Sequence, residues 1–146
     1  MPTAAKLMSA VVFAIVGWIA ANYHVPALGE DAEVGLFREM VGFIGLIVGW
    51  RVMGPSVGKG YAEATGSGLK TSIVLVFFAL LLFSIYEMVK ESTKMRYDGP
   101  MDAVLDVFNL MLINGREMLT PGVIATLVIG GMIGGWIAEN ASRRWR

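Results

Sequence analysis

The chain has 146 residues with 12 acidic and 12 basic side chains, and its mean hydropathy is +0.63. Hydrophobic residues make up 55% and charged residues 16%, well under the roughly one quarter usual in soluble domains, which argues against a water-soluble core. Zero net charge lacks the Lys/Arg surplus that nucleic acid demands, and no cysteine is present for disulfides, thiolate metal sites or thiol redox chemistry.

Four stretches, 7–23, 40–50, 71–86 and 118–138, contain no Asp, Glu, Lys or Arg. Lipid accepts only backbones that satisfy their own hydrogen bonds, and at this length that means helices. The fold class expected is an all-α membrane protein with four transmembrane helices, forming a single domain over 1–146. The first span, 4–23, follows Lys6; Val25-Pro26-Ala27 is a poor cleavage site, so the segment reads as a retained membrane helix.

The second span is expected over 34–54, with Glu30, Asp31 and Glu33 near its start, where the helix dipole favours negative charge. Its charge-free part covers only about 16 Å, so Arg38 and Arg51 must snorkel to opposite interfaces. The third span, 69–88, is expected to run on past the membrane, because Glu87, Lys90, Glu91 and Lys94 stand at helical pair spacing. Tyr97-Asp98-Gly99-Pro100 then makes a turn, with Pro100 opening the next helix.

Over 101–117 the pattern becomes amphipathic. Met101, Val104, Leu105, Phe108, Met111 and Leu112 share one face, and Asp102, Asp106, Asn109 and Arg116 another. Thr120-Pro121 supplies an N-cap and first-turn proline for the fourth span, 119–138. Lys6, Arg51, Lys59, Lys70, Arg143, Arg144 and Arg146 fall on one side, which by the positive-inside rule places both termini in the cytoplasm and the amphipathic helix in the periplasm.

Glycine is the distinctive residue within the spans. Gly45 and Gly49 form one GxxxG, while Gly130/Gly134 and Gly131/Gly135 form two that overlap. Small residues let helix backbones approach closely where lipid offers no hydrophobic drive. These faces either pack within the chain or dock another subunit, with Phe108 and Leu112 covering a neighbour. The stretch Gly54-Pro55-Ser56-Val57-Gly58-Lys59-Gly60 falls short of a phosphate loop, because it has three residues between its glycines and Gly60 where Ser/Thr is needed. Nucleotide binding is therefore not expected. Its backbone N–H groups, with Arg51, Lys59 and Lys70, can form an anion-binding loop, or the loop simply obeys the positive-inside rule. His24, where the first span leaves the membrane, reads as a wet interfacial residue; Asp102 and Asp106 read as a solvated face. No buried charge, metal site or catalytic constellation is expected, and no cofactor beyond bound lipid or pigment.

The opening Met1-Pro2-Thr3-Ala4-Ala5-Lys6-Leu7, the block Gly49-Trp50-Arg51-Val52-Met53-Gly54-Pro55, Gly60-Tyr61, the 97–100 turn, 121–127 and the arginine-rich 141–146 end together resemble the TrgA family. These are small alphaproteobacterial integral membrane proteins named for tellurite resistance. The resemblance implies an inner-membrane location and carries no catalytic residues. The leading expectation is a non-catalytic accessory or scaffold subunit of a larger respiratory or photosynthetic complex, touching lipids and other integral subunits. The second is a metalloid-resistance factor or small transporter acting through the basic loop.

Overall fold

The computed structural model describes residues 3–24 and 37–145, and every regular element among them is helical. The expectations for Pro26, for Glu30, Asp31 and Glu33, and for a helix start at 34 lie outside the described residues. Helix α1 is Thr3–His24 and α2 is Phe37–Val48, which continues through a π turn, Gly49–Met53, and a 3-10 turn, Gly54–Ser56. Then follow α3 (Tyr61–Ser92), α4 (Pro100–Met118) and α5 (Pro121–Arg144). Three of these, α1, α3 and α5, are long and apolar enough to cross a membrane, which is compatible with a multi-pass membrane protein. The α-helical part of α2 has 12 residues, too few to cross alone.

Helix α1 is central, packed against α2 on one side and α5 on another, while α3 packs on α5 and α4. Glycine sets how closely these axes approach. A Cβ on Gly45 or Gly49 would overlap the backbone carbonyls of Phe13 and Ser9. On α5, Gly130 and Gly134 sit against Val16 and Phe13 of α1. One residue on, Gly131 and Gly135 face Gly68 and Ala64 of α3, so α5 is clasped from two sides. Phe13, fully buried, fills the centre. Side-chain hydrogen bonds reinforce the contacts: Ser72 Oγ donates to the Leu127 carbonyl at 3.0 Å, and Arg38 Nη1 donates to Asn22 Oδ1 at 3.0 Å.

Several boundaries differ from the sequence reading. Helix α3 starts at Tyr61 instead of 69, because the stretch 61–70 keeps small residues (Ala64 and Gly68) on the side facing α5 and its polar ones outside. Helix α5 runs on to Arg144, past the expected end near 139. Pro100 and Pro121 do open their helices, yet the Thr120 hydroxyl makes no capping bond and is buried without a partner; only its carbonyl is used, by Ile124 N–H at 3.1 Å. His24 is 1% exposed and lies against the Phe37 ring, 5.9 Å between centroids, so it is buried by α2 and not wet.

Gly68 and Gly66 make a matched test. A methyl at 68 would meet the Gly131 carbonyl, whereas one at 66 meets nothing. Gly68→Ala is expected to lower stability by about 1–3 kcal/mol through overpacking, while Gly66→Ala should be neutral or raise it by roughly 0.5–1 kcal/mol through helix propensity. Unfolding in detergent followed by circular dichroism measures both; equal effects would contradict the packing described.

Candidate functional site

The most constructed polar feature joins the ends of α2, α3 and α5. Between the 3-10 turn and α3, the chain passes through Val57–Gly60 with Gly58 at φ +94° and Gly60 at φ +119°. Both angles are ones that side-chain-bearing residues rarely adopt, and at Gly60 space is not the reason, since a Cβ there would touch nothing. This backbone points two N–H groups at one carboxylate. Gly58 donates to Glu139 Oε2 at 2.6 Å and Gly60 donates to Oε1 at 3.3 Å.

Glu139, near the end of α5, is 1% exposed. One turn later Arg143 donates from Nε to Glu139 Oε1 at 3.1 Å, and its guanidinium sits 4.8 Å from the centre of the Tyr61 ring. A buried carboxylate is tolerable when it is paired and its lone pairs are filled, and here backbone and guanidinium do both. Lys59 joins these groups around a pocket of about 360 Å³. The sequence reading, which expected no buried charge, is corrected at Glu139. The glycine turn does hold an anion, and that anion is the chain's own.

The other basic residues of the expected loop are not gathered there. Arg51 lies exposed in the π turn and Lys70 exposed in the third turn of α3; Lys59 alone of the three lines the pocket. The six glycines singled out, Gly45, Gly49, Gly130, Gly131, Gly134 and Gly135, all sit in contacts between helices of this chain. Phe108 and Leu112 point outward, 61% and 67% exposed.

A second polar region lies where α4 runs back along α3. It forms a cleft of about 840 Å³ whose lining includes Lys94, Arg96 and Tyr97 on one side and Asp102, Asp106 and Asn109 on the other. The Tyr97 hydroxyl donates to Asp106, Asn114 Nδ2 donates to Glu87 Oε2 at 2.7 Å, and Glu91 pairs with Arg96 at 2.7 Å and Lys94 at 3.2 Å. Asp102 and Asp106 therefore line a cleft of mixed charge, where Lys94 and Arg96 pair with Glu91 and Asp106 takes the Tyr97 hydroxyl. Among the described residues no group of three or more His, Cys, Asp or Glu is placed to hold a metal.

Comparison with protein-family models, with curated proteins and with solved structures finds no match to this chain.

Removing the Glu139 carboxylate strands two backbone donors and a guanidinium. Glu139→Ala is expected to lose about 1–3 kcal/mol of stability. Gly58→Ala should lose roughly 1–2 kcal/mol through its backbone angle. If the clamp is one unit, the double variant loses less than the sum of the singles, which a double-mutant cycle on thermal unfolding measures.

Tyr97 allows a titration. Its hydrogen bond to Asp106 is the main cause that pushes the hydroxyl up to about 12, with burial and the charges of Asp106 and Glu91 adding and Arg96 opposing. A raised value means the contribution to stability is complete below the ordinary pKa of about 10 and is lost as pH rises through about 12. Ultraviolet phenolate titration should show one late tyrosine that Asp106→Asn returns toward the ordinary range.

Proposed function

We propose that the chain is a non-catalytic integral protein of the bacterial inner membrane that crosses it four times and serves as an accessory subunit of a larger membrane assembly. The helical path from Phe37 to Ser56 supplies the remaining crossing, with the π and 3-10 turns extending α2 to roughly 28 Å. Lys6, Arg51, Lys59, Arg143 and Arg144 gather at the end of the bundle that holds the Glu139 clamp, which supports a cytoplasmic position for that end and for both termini. On that topology α4 lies on the periplasmic side of the protein. The resemblance to the TrgA family fits an inner-membrane protein of this size.

The observation that carries this reading is how polar groups are used. The buried carboxylate, the positive-φ glycines and the guanidinium of Arg143 bond to one another, and the small-residue faces close on helices of the same chain. What faces outward along α1, α2, α3 and α5 is apolar and large, for example Leu7, Phe43, Ile73 and Ile129. Such a body offers fitting surface to lipid and to other integral proteins. The oxyanion or transport reading through Arg51, Lys59 and Lys70 is not favoured, because the N–H groups it needs are already bonded to Glu139.

Purification of the tagged chain from its native membrane in a mild detergent, followed by mass spectrometry, is expected to recover the same integral partner in every preparation. Repeated isolation of the chain alone would overturn the accessory role.

A further inference from the structure

Helix α4 keeps its polar and apolar sides apart in an unexpected direction. An amphipathic helix beside a soluble bundle turns its apolar side inward. Here Val107 and Asn114 are buried along α3 and the acids face the cleft, while Met101, Val104, Leu105, Phe108 and Leu112 are at least half exposed. Uncovered in water, so large a contiguous apolar stripe would not persist.

Its surroundings say what covers it. Helix α4 lies along the C-terminal half of α3, meeting it through Leu80 and Glu87, while Leu82, Tyr86 and Val89 are exposed on the side of α3 turned away from α4. Ile73 and Phe77 share the side of α3 that meets α4 lower down through Leu80 and Glu87, so α4 sits against a side that is exposed and apolar in the longest of the three helices able to cross a membrane. A break of two residues, Leu119 and Thr120, ties α4 to α5, another of those helices, so α4 cannot leave the bilayer's edge. The acids Asp102 and Asp106 line the polar cleft, and the stripe of Met101, Val104, Leu105, Phe108 and Leu112 carries no carboxylate. Arg116 flanks the stripe, and a helical side chain leans toward its own N-terminus, which at this end means along α4 toward the α3–α4 turn and the headgroups.

We propose that α4 is seated in lipid: acyl chains of the leaflet nearest the α3–α4 turn cover Phe108, Leu112 and their neighbours on the stripe. The occupant is the bilayer, and no second protein is required there. This rests on the reading of α1, α3 and α5 as membrane spans, and it assigns Phe108 and Leu112 to lipid instead of to a docking subunit.

The chain has no cysteine, so one introduced thiol can be spin-labelled without background. Full-length Phe108→Cys, Leu112→Cys, Ile73→Cys and Asp98→Cys are reconstituted in phosphatidylethanolamine–phosphatidylglycerol vesicles. Collision with oxygen, which concentrates in lipid, is compared with collision with a water-soluble nickel chelate. The oxygen-to-nickel ratio at 108 and 112 is expected to match that at 73 and to exceed that at 98 several-fold. High nickel access at 108 and 112 would show a water-facing helix and overturn the proposal. Low access to both reagents would show a covering protein and also overturn it. If position 73 fails to see oxygen, the membrane reading itself falls, a result distinguishable from failure at α4 alone. Should either α4 label disturb the helical circular dichroism, Val104→Cys and Leu105→Cys read the same stripe.

Discussion

The bundle depends on helix backbones meeting with no side chain between them. At Gly45 and Gly49 the carbonyls of Phe13 and Ser9 occupy the space a methyl would need, and Gly68 meets Gly131 in the same way. Lipid gives helices no hydrophobic reason to associate, so dispersion between close surfaces has to do it. Close approach multiplies such contacts along the whole crossing. It also makes α1 and α5 inseparable partners: α5 touches α1 through Gly130 and Gly134 and α3 through Gly131 and Gly135, so two adjacent rows of one helix bind opposite neighbours.

Close packing fixes the sides of the helices, and the Glu139 clamp fixes one set of their ends. Gly58 and Glu139 are 81 residues apart, and their bond ties the α2–α3 turn to the last turns of α5. A neutral side chain in that position would leave the two converging N–H groups short of a strong acceptor. A carboxylate satisfies both at once, and Arg143 offsets its charge from the next turn. The tyrosine under the guanidinium holds the arginine where it is needed. Removing the glycine donors or Arg143 leaves the buried Glu139 carboxylate short of partners, which is why such an arrangement acts as a unit.

Much of this was legible in the sequence, and the misses share a cause. Stretches without charge located the long helices, and the GxxxG spacings located the residues that touch. Prolines 100 and 121 marked helix starts, because a missing N–H is harmless only there. Spacing along one chain could not say which surfaces the glycines meet, since Gly130 and Gly131 differ by one residue and face different helices. Glu139 was invisible for the same reason: beside a run of arginines it reads as surface charge, and its burial depends on a turn 79 to 81 residues earlier. The glycines of that turn were noticed and their anion-binding geometry recognised, but sequence offered external ligands and gave no hint of an internal one. His24 is a similar case: the Phe37 ring beside it belongs to the next helix, which spacing within the first cannot reveal.

The direction in which α4 turns bears on what the molecule can do. Had its acids faced outward, the helix would have been a charged surface available to soluble partners. Instead Asp102 and Asp106 line the cleft beside α3, with Tyr97 bonded to Asp106, and a separate stripe of Met101, Val104, Leu105, Phe108 and Leu112 is exposed. The buried carboxylate of Glu139 takes its bonds from Gly58, Gly60 and Arg143 of its own chain, and Asp106 takes one from Tyr97. Along α1, α3 and α5 the exposed side chains are largely aliphatic and aromatic, which suits helices long and apolar enough to cross a membrane.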